Sequence, residues 1–300
     1  GSRIDMTASD PHGPTVRGAI HAGRNAATCQ SCHGDKPHKE GLLTLERLNN
    51  HTSKLACQAC HVPEFARGGI ATKTHWDWST AGKLDEKGKP IQVKDSHGHV
   101  IYDSKKGDFK LGENVVPDYV WFNGKVTYTT QADTIDPKNV VKVNTFHGSP
   151  DDPKARIWPV KRFQGKQPYD VETLKLLVPH TATPDDTAFW YNFDWPKALE
   201  AGAKATGSTY SGKHDFVQTE MLWPITHMVA PKEKAVACAS CHTAGGGRLG
   251  NIQGIYMPAR DSHPWIDRLG WLAVAGALAG VLIHAMGRIV ASRRNPTARH

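Results

Sequence analysis

The longest apolar stretch of the chain lies near the C-terminus, from Leu269 to Gly287, and contains no Asp, Glu, Lys or Arg. As a helix it would extend about 28 Å at about 1.5 Å per residue, close to the roughly 30 Å hydrocarbon core of a bilayer. Trp265 and Trp271 lie where interfacial aromatic residues gather. The pattern predicts one transmembrane helix at 265–290. The alternative is a buried helix of a soluble domain, and the length and flanking charges argue against it.

Charged residues around this stretch predict its orientation. Basic residues cluster after it, at Arg288, Arg293, Arg294 and Arg299, whereas Arg268 with its acidic neighbour precedes it. Cytoplasmic flanks of membrane helices are enriched in Lys and Arg. We therefore expect a single-pass protein of the inner membrane with a cytoplasmic C-terminus and a periplasmic N-terminal portion. The spacing of Gly276 and Gly280 is typical of a helix that packs closely against a partner helix.

Two shorter patterns occur in the polar remainder of the chain. The strand-forming segments 119–122 and 125–129 flank Asn123-Gly124, which predicts a β-hairpin with a type I′ turn. Farther along, an apolar periodicity of helical type runs from Phe189 to Ala203, with acidic residues before it and a break expected near Pro196.

All six cysteines belong to three copies of the pattern Cys-x-x-Cys-His. This pattern is the attachment signature of c-type haem, in which two thiols form thioethers and the histidine ligates iron. Zinc knuckles or redox dithiols would require paired motifs or a βαβ context. The sequence therefore predicts three covalently bound haem c groups. The attachment cysteines are Cys29, Cys32, Cys57, Cys60, Cys238 and Cys241, and the proximal ligands are His33, His61 and His242.

The second axial ligand of each iron is expected to be another histidine, as in most electron carriers. One histidine precedes each motif, and these are the first choices: His21, His51 and His227. His38 and His180 are the second choices. A distal ligand need not serve the motif nearest to it in sequence, so the pairing stays open.

The formal charge of +8 is largely offset in the holoprotein, because three haems bring roughly six negative propionates. The sequence has no interleaved basic and aromatic residues of a nucleic-acid-binding module, so no nucleic-acid partner is expected.

Haem attachment to this motif occurs outside the cytoplasm, which requires export. No apolar leader is visible at the start, so either a leader was cleaved or the chain begins partway along a longer protein.

The motifs divide the chain into regions. We expect a two-haem region at 1–63, a haem-free region at 64–218, a third-haem region at 219–262, the membrane helix at 265–290 and a cytoplasmic tail at 291–300.

Several segments between Leu45 and Asp261 resemble the octahaem tetrathionate reductase family of multihaem c-type cytochromes. These segments are CQACHVPEFARG, THWDWSTAG, RFQGKQPYD, FWYNFDW, WPITHMVAPKEKAVACASCH and GRLGNIQGIYMPARD. The resemblance implies a mainly α fold with long haem-wrapping loops, here with a small β-hairpin, and it implies that His227 is a distal ligand. The chain departs from the family in having three motifs instead of eight, so further haems are expected only in a longer parent chain.

Two functions are the main alternatives, and a quinol oxidase module whose site includes His284 is a third. The first is a membrane-anchored electron relay between a quinone-linked integral-membrane subunit, packed on the Gly276 and Gly280 face, and other cytochromes or periplasmic redox proteins. The second is a reductase of a small sulfur or nitrogen oxyanion such as tetrathionate, nitrite or hydroxylamine. Because no acid, base or nucleophile constellation is recognisable, the relay is favoured and the chain is interpreted as an electron-transfer subunit. His284 could bind a b-type haem, contact a quinone or extend to the interface.

Overall fold

The computed structural model describes residues 3–5, 15–17, 29–38 and 43–294. It divides the chain into two units. Unit 1 comprises the chain up to Ala237 together with Asn251–Gly254, and unit 2 comprises Cys238–Gly250 and the chain from Ile255 onward.

Strands dominate unit 1. In chain order they are β1 Arg3–Asp5, β2 Thr15–Arg17, β3 Thr72–Asp77, β4 Gln92–Lys94, β5 Val100–Asp103, β6 Gly107–Gly112, β7 Asp118–Phe122, β8 Val126–Tyr128, β9 Val141–Lys142, β10 Asn144–Phe146, β11 Arg156–Asp170, β12 Lys175–Leu176 and β13 His214–Pro224.

The helices of unit 1 are shorter. They are α1 Cys29–His33, α2 Leu43–His51, α3 Cys57–His61, α4 Phe189–Asn192 and α5 Trp195–Thr206. Two haem motifs thus form helices of a single turn or slightly more. Short 3₁₀ helices occur at Trp78–Thr80 and Lys232–Lys234.

Nine strands form one mixed sheet in the order β4-β5-β6-β3-β11-β13-β9, and β12 and β7 also pair with β11. The central pair, β11 and β13, is antiparallel from Val160↔Pro224 to Asp170↔His214. Strand β3 joins β11 in parallel, with Gln164 opposite His75. Beside the sheet, β1 pairs with β2 and β8 pairs with β10.

The expectation of a mainly α fold is wrong, because 29% of the residues are helical and 25% are in strands, with a nine-stranded mixed sheet. The haem-free region 64–218 contributes most of this sheet. Strand β11 contains a run of consecutive apolar residues, in which Ile157, Trp158 and Val160 are buried almost completely. Its partners come from both earlier and later chain segments, so the sheet depends on long-range pairing.

The predicted hairpin around Asn123-Gly124 is also wrong, although both of its strands exist. Strand β7 pairs with β11, whereas β8 pairs with β10. The backbone of His147 separates the two arms, because its carbonyl accepts from Asn123 N at 2.8 Å and its N–H donates to Lys125 O at 3.0 Å. Gly124 has a φ of 93°, the positive value that the turn requires, but Asn123 does not share it.

The predicted helical segment after Pro184 is confirmed as two helices, α4 and α5. The break lies at Phe193, which adopts the left-handed conformation with a φ of 56°, and not at Pro196. Pro196 instead occupies the first turn of α5, where a missing N–H costs nothing. The side chain of Asp194 caps this helix by accepting from Lys197 N at 3.1 Å.

Unit 2 contains one long helix, α6, at Pro264–Arg294. Within Pro264–Arg293, an 18-residue window has a mean hydropathy of 1.9, and none of that window is buried. By length and composition the helix is able to cross a membrane. Trp265 and Trp271 are exposed on it, at 62% and 74%.

Candidate functional site

The second haem motif is anchored to the sheet at its N-terminal end. Ala56 N donates to Ile157 O at 3.1 Å, and Ile157 N donates to Lys54 O at 2.8 Å. Ala56 also packs with Phe122 and Trp158 in a cluster that is at most 2% exposed. Helix α3 begins at the next residue, so the position of Cys57 follows from the packing of β7 and β11.

The C-terminal end of α3 is held by a later segment of the chain. Ala230 N donates to His61 O at 2.7 Å, and Val236 N donates to Cys60 O at 2.9 Å. The Arg67 guanidinium donates to the carbonyl of Met228 in the same segment. The bonds to His61 O and Cys60 O satisfy carbonyls that a helix terminus leaves without intrahelical partners. The motif is therefore fixed at both ends.

The first and second motifs lie in direct contact. The thiols of Cys29 and Cys57 are hydrogen-bonded to each other, which raises the pKa of Cys29 and lowers that of Cys57. The positive charge of Arg156 also lowers the pKa of Cys57. The attachment sulfurs of Cys29 in the first motif and Cys57 in the second motif therefore lie next to each other.

His38 and His61 form a parallel pair of imidazoles. Their ring centres are 6.4 Å apart, and the two ring planes differ by only 12°. Partial burial, with the neighbouring His38 and His33, lowers the pKa of His61, which favours the neutral imidazole that binds metals. His38 is itself held by Asn49 of α2, whose Oδ1 lies 2.9 Å from His38 Nδ1.

A cavity of about 560 Å³ lies beside these groups. Its lining includes Gln30 from α1, Asn49 from α2 and Arg156 from β11. Ligand sites in proteins commonly have volumes of about 300–1,000 Å³. The lining is polar, includes Asp35 and contains none of the thiols or imidazoles. The cysteines and histidines of the two motifs are the groups that attach and ligate haem c, and Arg156 beside Cys57 suits an anionic propionate, so these residues fit the expected cofactor.

The third motif lies in unit 2. Cys238–Ser240 forms a 3₁₀ turn, and His242 N donates to Cys238 O at 2.8 Å. A Cβ at Gly247 would collide with the carbonyl oxygen of Ser240, so the glycine-rich loop packs directly on the motif backbone. Gly247 also has a φ of 50°, which favours glycine there. Burial raises the pKa of the Cys241 thiol.

The predicted distal ligands have different surroundings. His21 lies outside the described residues. His51 is exposed, and its Nδ1 donates to Arg47 O at 2.6 Å within α2. His227 is exposed three residues before the contact of Ala230 with α3. His180 has its Nε2 at 2.9 Å from Asp185 Oδ2. The roles of these four histidines stay predictions.

Sequence reasoning missed two residues of the site. Asn49 and Arg156 carry no motif, and they reach the site only because α2 and the start of β11 come together there. Among the second-choice ligands, His38 is the one that the structure brings beside a proximal histidine.

Comparison with known proteins agrees with this chemistry. The family model described as "Cytochrome c bacterial" matches residues 73–245, more than half of the chain. The chain belongs to this family of bacterial c-type cytochromes. It is also similar to the crystal structure of an octahaem cytochrome c from Shewanella oneidensis, with 35% identity and a TM-score of 0.69. That match covers 85% of this chain and 55% of the other, so the chain spans about half the length of that relative. A search of curated proteins found no match.

The family and the structural match together identify a multihaem c-type cytochrome. Haem c is therefore the cofactor of this chain.

Proposed function

We propose that this cytochrome is a membrane-anchored periplasmic electron relay with one haem at each of its three motifs. It passes electrons between a quinone-linked integral-membrane partner and a periplasmic redox protein. The observation that carries this proposal is the contact between the Cys29 and Cys57 thiols, because it brings two haem attachment points side by side. Electron tunnelling falls steeply with distance, so adjacent macrocycles exchange electrons rapidly.

Helix α6 supports the anchored form of the proposal. It is long and apolar enough to span a bilayer, and its basic residues follow the apolar stretch. In this orientation the haem motifs lie on the periplasmic side, where c-type haem is attached. Gly276 and Gly280 are exposed on the helix and suit close packing against a partner subunit.

The membrane claim is tested on the full chain by fractionation. The protein is expected to resist extraction from membranes by alkaline carbonate and to be released by detergent. Release by carbonate or by salt would contradict a spanning helix. Protease added to the periplasmic face should digest the haem portion and spare the segment after Arg288.

The relay claim is tested by spectroscopy of the detergent-solubilised holoprotein. We expect all haems to be low-spin and their spectra to remain unchanged when tetrathionate, nitrite or hydroxylamine is added. Reduction by a quinol, followed by electron transfer to a soluble c-type cytochrome, is the expected activity. A high-spin haem that binds or is reoxidised by one of these oxyanions or by hydroxylamine would favour the reductase instead.

A further inference from the structure

We propose that His38 is the second axial ligand of the iron bound at the second motif, opposite His61, and that Asn49 is the residue that positions it. This inference rests on the proposed haem at Cys57 and Cys60. The ligand and the haem then belong to different motifs in sequence, because His38 follows His33 of the first motif by five residues and yet binds the iron of the second.

The spacing of the two rings is the first argument. With metal–nitrogen bonds of about 2.0 Å and about 1.1 Å from each nitrogen to its ring centre, two imidazoles on opposite sides of one metal have centres about 6.2 Å apart. The observed distance between His38 and His61 is 6.4 Å, with planes only 12° from parallel. The separation of the two rings thus matches the one calculated for a shared iron.

The hydrogen bonds of Asn49 supply the second argument. Asn49 Nδ2 donates to His38 O at 3.0 Å, which fixes the orientation of the amide. Asn49 Oδ1 then faces His38 as an acceptor, at 3.1 Å from the backbone N and 2.9 Å from Nδ1. An acceptor at that position places the proton on Nδ1 and leaves the lone pair on Nε2. Nε2 of His38 is consequently the nitrogen that is ready to bind a metal.

Metal-binding histidines are usually supported in this way by a hydrogen-bond partner on the nitrogen that does not bind the metal. A hydrogen bond from the non-ligating nitrogen fixes the tautomer and the ring orientation, and raises the basicity of the ligand. Asn49 holds both the ring and the backbone of His38, so the ligand is fixed relative to α2. His51, at the end of the same helix, also has its Nδ1 bonded to an acceptor, but it is exposed, and the ring found beside His61 is that of His38.

The first test replaces His38 with glycine in the full-length holoprotein. We expect one haem to become high-spin by electron paramagnetic resonance and absorption, and added imidazole to restore the low-spin spectrum. His97→Gly, at an exposed loop histidine, is the matched control and should leave all haems low-spin. If the glycine variant does not accumulate, His38→Met should give a methionine–iron charge-transfer band and a higher potential at one haem. Unchanged low-spin spectra in either His38 variant would overturn the assignment.

A second experiment identifies which haem is affected. Cys57→Ser combined with Cys60→Ser removes the second haem, and His38→Gly in that background should leave the remaining haems unaltered. A new high-spin haem there would show that His38 serves another iron. The intact mass of the unsubstituted protein separates the two proposals. If the second motif carries no haem, the proposed relay fails. If the motif carries haem but the His38 variants leave its spectrum unchanged, only the ligand assignment is overturned.

The role of Asn49 is tested by the potential of the same haem. Asn49→Leu removes the acceptor, and we expect a shift to more positive potential, because a less basic imidazole stabilises ferric iron less. Asn49→Asp keeps an acceptor and should shift the potential in the opposite direction. Asn139→Leu, at an exposed asparagine, serves as the control. Equal potentials in the two Asn49 variants would contradict a positioning role.

Discussion

Replacement of Phe122 by alanine tests how the sheet supports the second motif. Phe122 is 1% exposed and packs with Trp158 and with Ala56, the residue directly before α3. Its ring centre lies 4.5 Å from that of Phe146 and 6.0 Å from that of Trp158. A buried Phe→Ala change costs about 3–5 kcal/mol, and aromatic pairs add about 0.5–1.5 kcal/mol. We expect a loss of about 4 kcal/mol.

For a domain of this size, that loss corresponds to a Tm lower by about 8–16 °C. Thermal and guanidinium unfolding followed by far-UV circular dichroism measure it. Because Ala56 immediately precedes α3, the absorption spectrum of the second haem should also broaden. The control is Tyr128→Ala, at a side chain that is 55% exposed, with an expected change within about 0.5 kcal/mol. A loss below about 1 kcal/mol for Phe122→Ala would refute the reasoning.

Three further predictions concern unit 1. Asn144→Leu removes two 2.8 Å hydrogen bonds between the buried Asn144 side chain and the backbone of β13. The free energy of unfolding in denaturant should fall by roughly 2–5 kcal/mol, and a fall below about 1 kcal/mol would contradict this role of Asn144. Gly202→Ala forces a Cβ against the carbonyl of Val178 and should cost about 1–3 kcal/mol, with an unchanged Tm as the refuting result. The hydrogen bond from His180 lowers the pKa of Asp185 to about 2, so its stabilisation is present above pH 4 and is lost as the pH falls towards 2. Asp185→Asn should therefore flatten the acid dependence of Tm in that window, and an identical profile would disprove the coupling.

The sequence was sufficient for features that depend on local spacing. The Cys-x-x-Cys-His motifs, the apolar helix α6 and the helical segment after Pro184 all follow from residues that are near one another in the chain. The break expected near Pro196 was wrong, because Pro196 lies in the first turn of α5 after the cap residue Asp194.

The sheet could not be predicted in this way, because its pairings join distant segments. Gln164 of β11 lies opposite His75 of β3 in parallel, and no local pattern specifies such a partner. The Asn123-Gly124 turn failed as a hairpin signal because the backbone of His147 bonds to both arms. Tertiary contacts thus overrode a strong local preference.

The ligand assignment shows the same limit. Counting histidines before each motif favours His51 for the second haem, whereas the structure brings His38 beside His61. His38 is bonded to Asn49 of α2 and lies beside His61, so that proximity in space differs from order in sequence. Asn49 carries no recognisable signature, and only its three hydrogen-bond contacts with His38 reveal it.

Mass spectrometry of motif peptides tests the central claim most directly. The full chain is purified, treated with a thiol-alkylating reagent and digested. The account predicts that the peptides containing Cys57-Cys60, Cys238-Cys241 and the first motif each carry one haem through two thioethers and take up no alkyl group. Alkylated cysteines at any of the three motifs, or a pigment that acidified organic solvent extracts, would contradict it.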